Sequence, residues 1–300
     1  MPSHRNDVYT RVTDHIIAEL EKGVCPWVQP WTARHAAGEV SRPQRFNGIP
    51  YQGINVVLLW MSALNQHFVS PLWMTYRQAG ELGGQVRRGE KGSMVVYADT
   101  FKRREADESG EEQEVEIPFL KNYVVFNSEQ IDGLPDHYYA QVKPPVHAAQ
   151  RIEAAEYFFG NTGADIRHGG GMAYYVPSAD FVQMPPFETF RDAQSYYATL
   201  SHELAHWTRH PSRLAREFAG QRWGTEGYAM EELCAEMGAA FLCADLGLEL
   251  EPRADHAAYI ASWLQVLKND KRAIFTAASH AQRAADYLHG LQPKAREAAA

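Results

Sequence analysis

The segment TLSHELAHWTRH, residues 199–210, places two histidines four positions apart, with a glutamate directly after the first of them. In an α-helix this spacing puts His202 and His206 on one face, one turn apart, where both imidazoles can bind the same metal ion. Glu203 then projects beside the ion, where a general base for a bound water must lie. The competing interpretation is a pair of surface histidines on a helix. We favour the metal site because the apolar residues of the segment fall on another face and can pack in a core: Leu200, Leu204 and Trp207.

A third protein ligand is expected downstream, because two histidines and a water do not complete a tetrahedral site. The segment MEELCAEMGAAFL, residues 230–242, offers three glutamates on a helix. Glu232 and Glu236 share a half-buried face beside the apolar stripe, whereas Glu231 is expected to point to solvent. One of the pair would bind the metal and the other would bond to a ligand histidine; we favour Glu232 as the ligand, with the reverse as the alternative. His210 is interpreted as a favourable positive group at the end of its helix rather than as a ligand.

The chemistry that follows from this site is amide hydrolysis. A metal held by two histidines and one carboxylate keeps an open position for water and lowers the pKa of that water toward neutrality. Glu203 would take the proton and return it to the leaving amine. We expect one divalent metal, with zinc as the default and manganese, cobalt or iron as alternatives that a carboxylate ligand also admits. A metal-stabilised scaffold without catalysis is the less specific alternative.

The chain is acidic as a whole, yet its basic residues are concentrated in one stretch. It has 29 lysines and arginines against 37 aspartates and glutamates, a formal net charge of −8. Between residues 42 and 104, however, nine basic residues stand against three acidic ones, an excess of six positive charges. Proteins that bind single strands combine a cationic groove with aromatic side chains on which bases stack. From composition alone, aromatic residues in the core and charges on a solvated surface are the favoured interpretation. The alternative is single-stranded DNA as a partner, through these residues: Arg42, Arg45, Trp73, Tyr76, Arg77, Arg87, Arg88 and Lys91. Trp73 and Tyr76 are equally compatible with a place in the core.

The pattern of elements predicts an α+β fold in two parts. Pro144 and Pro145 should interrupt regular structure, and we place the parts at residues 1–142 and 150–290. The elements expected before the break are helices over 6–22 and 54–66 and strands over 93–101 and 117–127. After the break helices dominate, including one over 147–160 and the histidine helix over 190–209. Thr189 and Asp192 have the spacing of a capping box, which marks the start of the histidine helix.

Other features of the sequence predict a cytoplasmic protein with no membrane partner. No run of about 18 apolar residues is present, as a transmembrane helix would need. The polar segment MPSHRNDVYT shows no secretory signal. The three cysteines form no CxxC pair, which is typical of reduced thiols.

Several blocks of the sequence, in one order, resemble the ArdC family of antirestriction proteins, which conjugative plasmids carry. In the first half the resemblance lies in DVYTRVTDHIIAELEKG, FNGIPYQGINVVLLW and WMTYRQAGELGGQVRRGEKG. In the second half it lies in AYYVPSADFVQMPPFETF, YYATLSHELAHWT and YAMEELCAEMGAAFLCADLG. The resemblance implies a mixed α/β first part that is similar to single-stranded-DNA-binding domains, followed by a mainly helical, zincin-like metallopeptidase part.

The resemblance also implies roles for single residues and for the whole protein. It gives His202 and His206 as metal ligands and Glu203 as the base. The segment ELCAE, residues 232–236, resembles the ExxA[DN] helix of some zincins, with glutamate in place of the terminal residue, and this favours Glu232 as the ligand. The implied function is protection of incoming plasmid DNA from host restriction, with delivery into the recipient cell. A metallopeptidase that acts on a DNA-bound protein is the alternative.

Overall fold

The fold is known from a computed structural model, which describes residues 7–27, 41–106, 112–139, 148–218, 225–248 and 256–293. The fold is α+β, with a mixed α/β first part followed by a mainly helical second part, as the sequence predicts. The predicted break at Pro144 and Pro145 lies outside the described residues, so the boundaries at 1–142 and 150–290 remain predictions. Within the described ranges, no helix is long and apolar enough to cross a membrane.

The described helices are α1 (Val8–Glu21), α2 (Ile54–Gln66), α3 (Tyr76–Glu81), α4 (Ala148–Gly160), α5 (Ala193–Trp207), α6 (Glu226–Leu246), α7 (His256–Asn269) and α8 (Ala273–Gly290). The predicted helix over 54–66 matches α2, and α1 and α4 lie within one or two residues of their predicted bounds. The reason for α1 is visible in the sequence: its apolar residues recur every four positions, and three of them are buried, namely Val12, Ile16 and Leu20.

The described strands are β1 (Gln44–Arg45), β2 (Leu72–Met74), β3 (Gln85–Val86), β4 (Ser93–Ala106), β5 (Glu112–Asn127), β6 (Ile131–Asp132), β7 (Asp165–His168), β8 (Tyr174–Val176) and β9 (Phe181–Met184). The first part contains a sheet in the order β1-β2-β5-β4 and the pair β3-β6. The second contains the order β7-β9-β8, with β7 parallel and β8 antiparallel to β9. The β4–β5 ladder extends to Ala106 opposite Glu112, so it is longer than the sequence predicts.

The two metal-site helices begin and end at recognisable caps. Asp192 is the N-cap of α5, because its side chain accepts a hydrogen bond from the Ser195 amide at 2.8 Å. The predicted start at Thr189 is therefore wrong; that residue ends a short 3-10 turn, and its hydroxyl donates to the Pro186 carbonyl. Helix α6 ends at Gly247, whose φ of 65° is the left-handed cap that glycine adopts without strain.

One hydrophobic core cluster runs through both parts of the chain. The Trp27 and Trp263 rings meet edge to face with centroids 5.5 Å apart, although they come from opposite ends of the sequence. Trp60 on α2 similarly lies 5.9 Å from Phe241 on α6. Helix α1 packs on α7, and α2 packs on α8. The first part thus rests directly on the helices that surround the metal-site candidates.

Candidate metal centre and nucleic-acid surface

Three side chains from α5 and α6 converge on one small volume. The His202 and His206 Nε2 atoms lie 3.1 Å apart. The Glu232 carboxylate approaches both, with Oε1 3.5 Å from the His206 Nε2 and Oε2 3.6 Å from the His202 Nε2. Tetrahedral coordination with metal–ligand bonds of about 2.0–2.1 Å would separate neighbouring ligand atoms by about 3.3 Å. The geometry therefore fits one divalent ion, and we call these three residues the cage.

The helices give the cage its shape. His202 and His206 lie one turn apart on α5, and Glu232 faces them from α6, which packs along α5. Glu203 follows His202 on α5, and its side chain is also buried. His210 lies beyond the end of α5, where its Nδ1 is 2.7 Å from the Ser212 hydroxyl, so it is not part of the cage.

Two further carboxylates approach the other ring nitrogens of the histidines. The Glu236 Oε1 lies 3.4 Å from the His202 Nδ1, an ion-pair contact that lacks the geometry of a hydrogen bond. The Glu231 Oε1 lies 3.0 Å from the His206 Nδ1. The expectation that Glu231 points to solvent is wrong, because this side chain is buried and pairs with Arg216. The sequence holds no local signal for this pairing, since Arg216 lies in the loop after α5.

The acidic side chains change the pKa values within the cage. Burial alone lowers the pKa of His206, but the charges of Glu232 and Glu231 outweigh it and raise the pKa to about 10. Burial raises the pKa of Glu232, yet His206 and His202 together hold that pKa well below its usual range. The cage is thus a buried site of negative potential, which favours a bound cation.

Two of the predicted DNA contacts are buried, and for these the prediction is corrected. The Arg42 Nε and Nη2 atoms lie 2.7 and 2.8 Å from the Asp245 carboxylate oxygens, and Nη1 donates to Gln282. The Arg42 charge is therefore paired inside the protein. Trp73 is 1 % exposed, and its ring packs edge to face against Phe68, so it cannot stack on a base.

Other predicted contacts lie around one surface depression. Tyr76 is 57 % exposed at the start of α3, and its ring contacts Phe126 with centroids 6.4 Å apart. These two rings border a cavity of about 620 Å³, which we call the Tyr76 groove. Its lining residues are Tyr76, Gln85, Val86, Arg87, Arg88, Glu90, Phe126 and Asp132. Sequence pattern alone does not single out Phe126, because it lies in a β-rich run in which any aromatic residue could face the core.

The basic residues near the groove differ in how they are paired. Arg87 pairs with Glu90 at 2.8 Å and with Asp132 at 3.3 Å. Arg77 pairs with Glu81 at 2.8 Å along α3. Arg88 and Lys91 are exposed and form no ion pair within the described ranges, which leaves their charges available to phosphate. Arg45 is also exposed, but its guanidinium lies over the Tyr51 ring and does not line the groove.

Comparisons with known families cover both parts of the chain. Residues 6–126 match the model for the N-terminal domain of anti-restriction factor ArdC. Residues 153–280 match the model for zincin-like metallopeptidases. The second match contains the whole cage, and the first contains the Tyr76 groove except for its last residue, Asp132.

Relatives are found among curated proteins. The uncharacterized protein y4eC of Sinorhizobium fredii is 44 % identical over 300 residues, which span 98 % of this chain and 95 % of that protein. DNA primase TraC of Escherichia coli is 37 % identical over 318 residues, which span 98 % of this chain but only 28 % of that protein.

Solved structures agree with the fold described above. The metal-free structure of antirestriction ArdC protein from the R388 plasmid has a TM-score of 0.80 and 49 % identity, over 95 % of this chain and 97 % of that one. Its Mn(II)-bound structure has a TM-score of 0.78 and 48 % identity, over 95 % and 98 %. The zincin-like match and the manganese-bound relative support a divalent metal in this protein as well. The chain belongs to the ArdC family of antirestriction proteins.

Proposed function

We propose that this protein protects incoming conjugative plasmid DNA from restriction by binding single strands at the Tyr76 groove, and that its second part is a metal-dependent peptidase. The observation that carries the peptidase proposal is the convergence of His202, His206 and Glu232 at separations that fit one tetrahedral ion. We assign these three as ligands, with zinc as the metal and Glu236 as the group that orients His202.

The proposed reaction is hydrolysis of an amide in a protein. A bound divalent ion would lower the pKa of its water and polarise the scissile carbonyl. Glu203 takes a proton from the attacking water and delivers it to the leaving amine. Its place directly after His202 on α5 supports this role, because the side chain then projects beside the ion that His202 would bind.

For DNA, we assign Tyr76 and Phe126 as the surface on which a base stacks, and Arg88 and Lys91 as phosphate contacts. The exposure of Tyr76 and the unpaired charges beside it support this assignment. Arg87 and Arg77 are secondary contacts, because a phosphate would have to compete with their acidic partners. The second candidate function is cleavage of a protein that is bound to the incoming strand. Binding of that strand at the same groove would bring the metal site close to the protein.

The assignment of the groove is tested with the full-length protein and a labelled thymidine oligonucleotide. Tyr76→Ala should weaken binding by about 1–3 kcal/mol, the value typical of one stacked base. Tyr157→Ala is the matched control, because Tyr157 is 63 % exposed on α4 in the other part of the chain. Arg88→Ala should reduce the slope of log affinity against log salt by about 0.7, and Arg167→Ala should not. Equal effects of Tyr76→Ala and Tyr157→Ala would contradict the assignment.

The two candidate functions are separated by conjugation into restricting and non-restricting recipients. If proteolysis protects the plasmid, Glu203→Ala should lose protection in restricting recipients only, while it keeps its metal. Glu153→Ala is the control, since Glu153 is exposed on α4. If Glu203→Ala protects as well as wild type and Tyr76→Ala does not, DNA binding alone is responsible for protection.

A further inference from the structure

Arg216 is a buried cation next to the cage, outside the metal-binding motifs. Its Nε donates to the Glu231 Oε2 at 2.9 Å and its Nη2 donates to Oε1 at 2.8 Å, so the pair is bidentate. Both side chains are almost fully buried. Burying an ion pair is costly unless its remaining donors and acceptors also form hydrogen bonds. Here the remaining donors of Arg216 bond to α5, the helix that carries the histidines.

The remaining donors of Arg216 bind the end of α5. Its Nη2 also donates to the Ala205 carbonyl at 2.9 Å, and its Nη1 donates to the Thr208 hydroxyl at 3.1 Å. Ala205 directly precedes His206. The guanidinium therefore fixes Glu231 relative to the last turn of α5, from which His206 projects.

Glu231 in turn constrains the imidazole of His206. An ionised carboxylate can only accept a hydrogen bond, so the His206 Nδ1 must carry the proton that it shares with the Glu231 Oε1 at 3.0 Å. With Nδ1 bonded to Glu231, Nε2 is the ring nitrogen left for a metal, and it is the atom that faces His202 and Glu232.

We infer that Arg216 and Glu231 are positioning residues for the proposed metal site: they hold the His206 ring through its Nδ1–H and aim its Nε2 into the cage. This inference rests on the proposed metal function. A purely structural role, in which the pair only ties the loop to the helices, is the alternative that an experiment must distinguish.

The matched control lies three residues earlier in the same loop. The side chain of Arg213 is also nearly buried, and it donates to the Trp207 carbonyl at 2.7 Å near the end of α5. Its ionic partner is Asp180 rather than Glu231. Arg213→Met therefore removes a buried arginine of the same loop without touching the group that bonds His206.

The experiment compares Arg216→Met, Glu231→Gln and Arg213→Met with wild type. Affinity for Mn²⁺ is measured by titration of the folded full-length protein, the Co²⁺-loaded protein gives its visible spectrum, and the ¹H–¹⁵N resonance of the His206 Nδ1–H in the metal-free protein reports its hydrogen bond to Glu231. We expect Arg216→Met to lower the Mn²⁺ affinity about 10- to 100-fold, as loss of outer carboxylate partners does elsewhere, with an altered Co²⁺ spectrum and a shifted Nδ1–H resonance. Arg213→Met should stay within about twofold of wild type.

A second set of variants keeps the inference testable if Arg216→Met does not fold. Arg216→Met/Glu231→Gln removes both buried charges but leaves an amide oxygen that can accept from the His206 Nδ1. It should restore the Nδ1–H resonance and part of the lost affinity. If Arg216→Met and Arg213→Met lose stability equally while the Nδ1–H resonance and the affinity match wild type, the pair is structural and the inference is overturned. If wild type binds no metal, the proposed function fails, whereas the Nδ1–H resonance of His206 in the metal-free protein still tests the positioning.

Discussion

The dimensions of the cage depend on how closely α5 and α6 approach, and one glycine sets that distance. A Cβ atom on Gly238 would lie 3.1 Å from the Ala205 Cβ, which is tighter than ordinary van der Waals contact. Ala205 precedes His206 on α5, and Gly238 lies six residues after Glu232 on α6. A larger side chain at Gly238 must therefore separate the two helices close to the ligands that they contribute.

The substitution Gly238→Val allows the size of this effect to be estimated. Overpacking of a well-packed core typically costs about 1–3 kcal/mol. Valine has a better helix propensity than glycine by roughly 0.3 kcal/mol, which offsets only a small part of that cost. We expect a net loss of about 0.7–2.7 kcal/mol in the free energy of unfolding of the metal-free protein.

The same substitution should weaken metal binding. The two histidine Nε2 atoms of the cage lie 3.1 Å apart. The nearest Glu232 oxygens lie 3.5 Å from the His206 Nε2 and 3.6 Å from the His202 Nε2. Metal–ligand distances tolerate deviations of only about 0.2 Å, so a helix displacement of a few tenths of an ångström distorts coordination. If restoring the ligand positions makes the free energy of metal binding less favourable by about 1.4 kcal/mol, the affinity for Mn²⁺ falls about tenfold.

Chemical denaturation in the presence of a chelator measures the free energy of unfolding, and titration with Mn²⁺ measures the metal affinity. Gly80→Val is the matched control, since Gly80 lies in α3, is exposed, and a Cβ atom added to it would meet no other atom within 4 Å. The control should change stability by no more than about 0.5 kcal/mol. The reasoning is refuted if Gly238→Val matches Gly80→Val in both stability and affinity.

Three further outcomes follow from the same contacts. Arg42→Met should destabilise the protein by about 1–3 kcal/mol in urea denaturation, because it removes the buried hydrogen bonds to Asp245 and Gln282 while Asp245 keeps His289 at 2.8 Å, and a double variant that also neutralises Asp245 should recover part of the loss. Trp73→Ala should lose about 3–5 kcal/mol in the same assay, whereas Tyr76→Ala should change stability by no more than about 0.5 kcal/mol; equal losses would contradict the assignment of one ring to the core and the other to the surface. Saturating Mn²⁺ at about 100 times its Kd should stabilise wild type by about 2.7 kcal/mol, and replacement of both cage histidines by alanine should abolish that increase.

Much of the architecture can be predicted because its signals are local. The every-four-residue spacing of apolar side chains identifies α1, and the His202–His206 spacing places two imidazoles on one face of α5. Strand β7 is not predictable in this way, since its sequence DIRH is largely exposed and shows no alternation of polar and apolar residues. Local pattern reveals an element only when one of its faces is buried.

The partners of buried charges cannot be predicted, because they lie far away in the chain. The sequence pattern places Glu231 in solvent, because it lies off the apolar stripe formed by Leu233, Met237 and Phe241 on α6. Its burial depends on Arg216, which reaches it from a loop fifteen residues away. A carboxylate is buried only where a counter-charge arrives, and the sequence of α6 does not contain that information.

The buried contacts of Arg42 link the first part of the protein to the second. Composition groups it with the DNA-binding arginines, but its guanidinium pairs with Asp245 near the end of α6 and lies 4.9 Å from the centre of the Phe241 ring. Gln282 on α8 accepts hydrogen bonds both from Arg42 and from the Gly53 amide at the start of α2. The first part is thus fixed, through buried polar contacts, to the same helix α6 that supplies Glu232. If the proposed strand binding at the Tyr76 groove displaces the first part, these contacts would transmit the displacement to α6, an element of the proposed metal site.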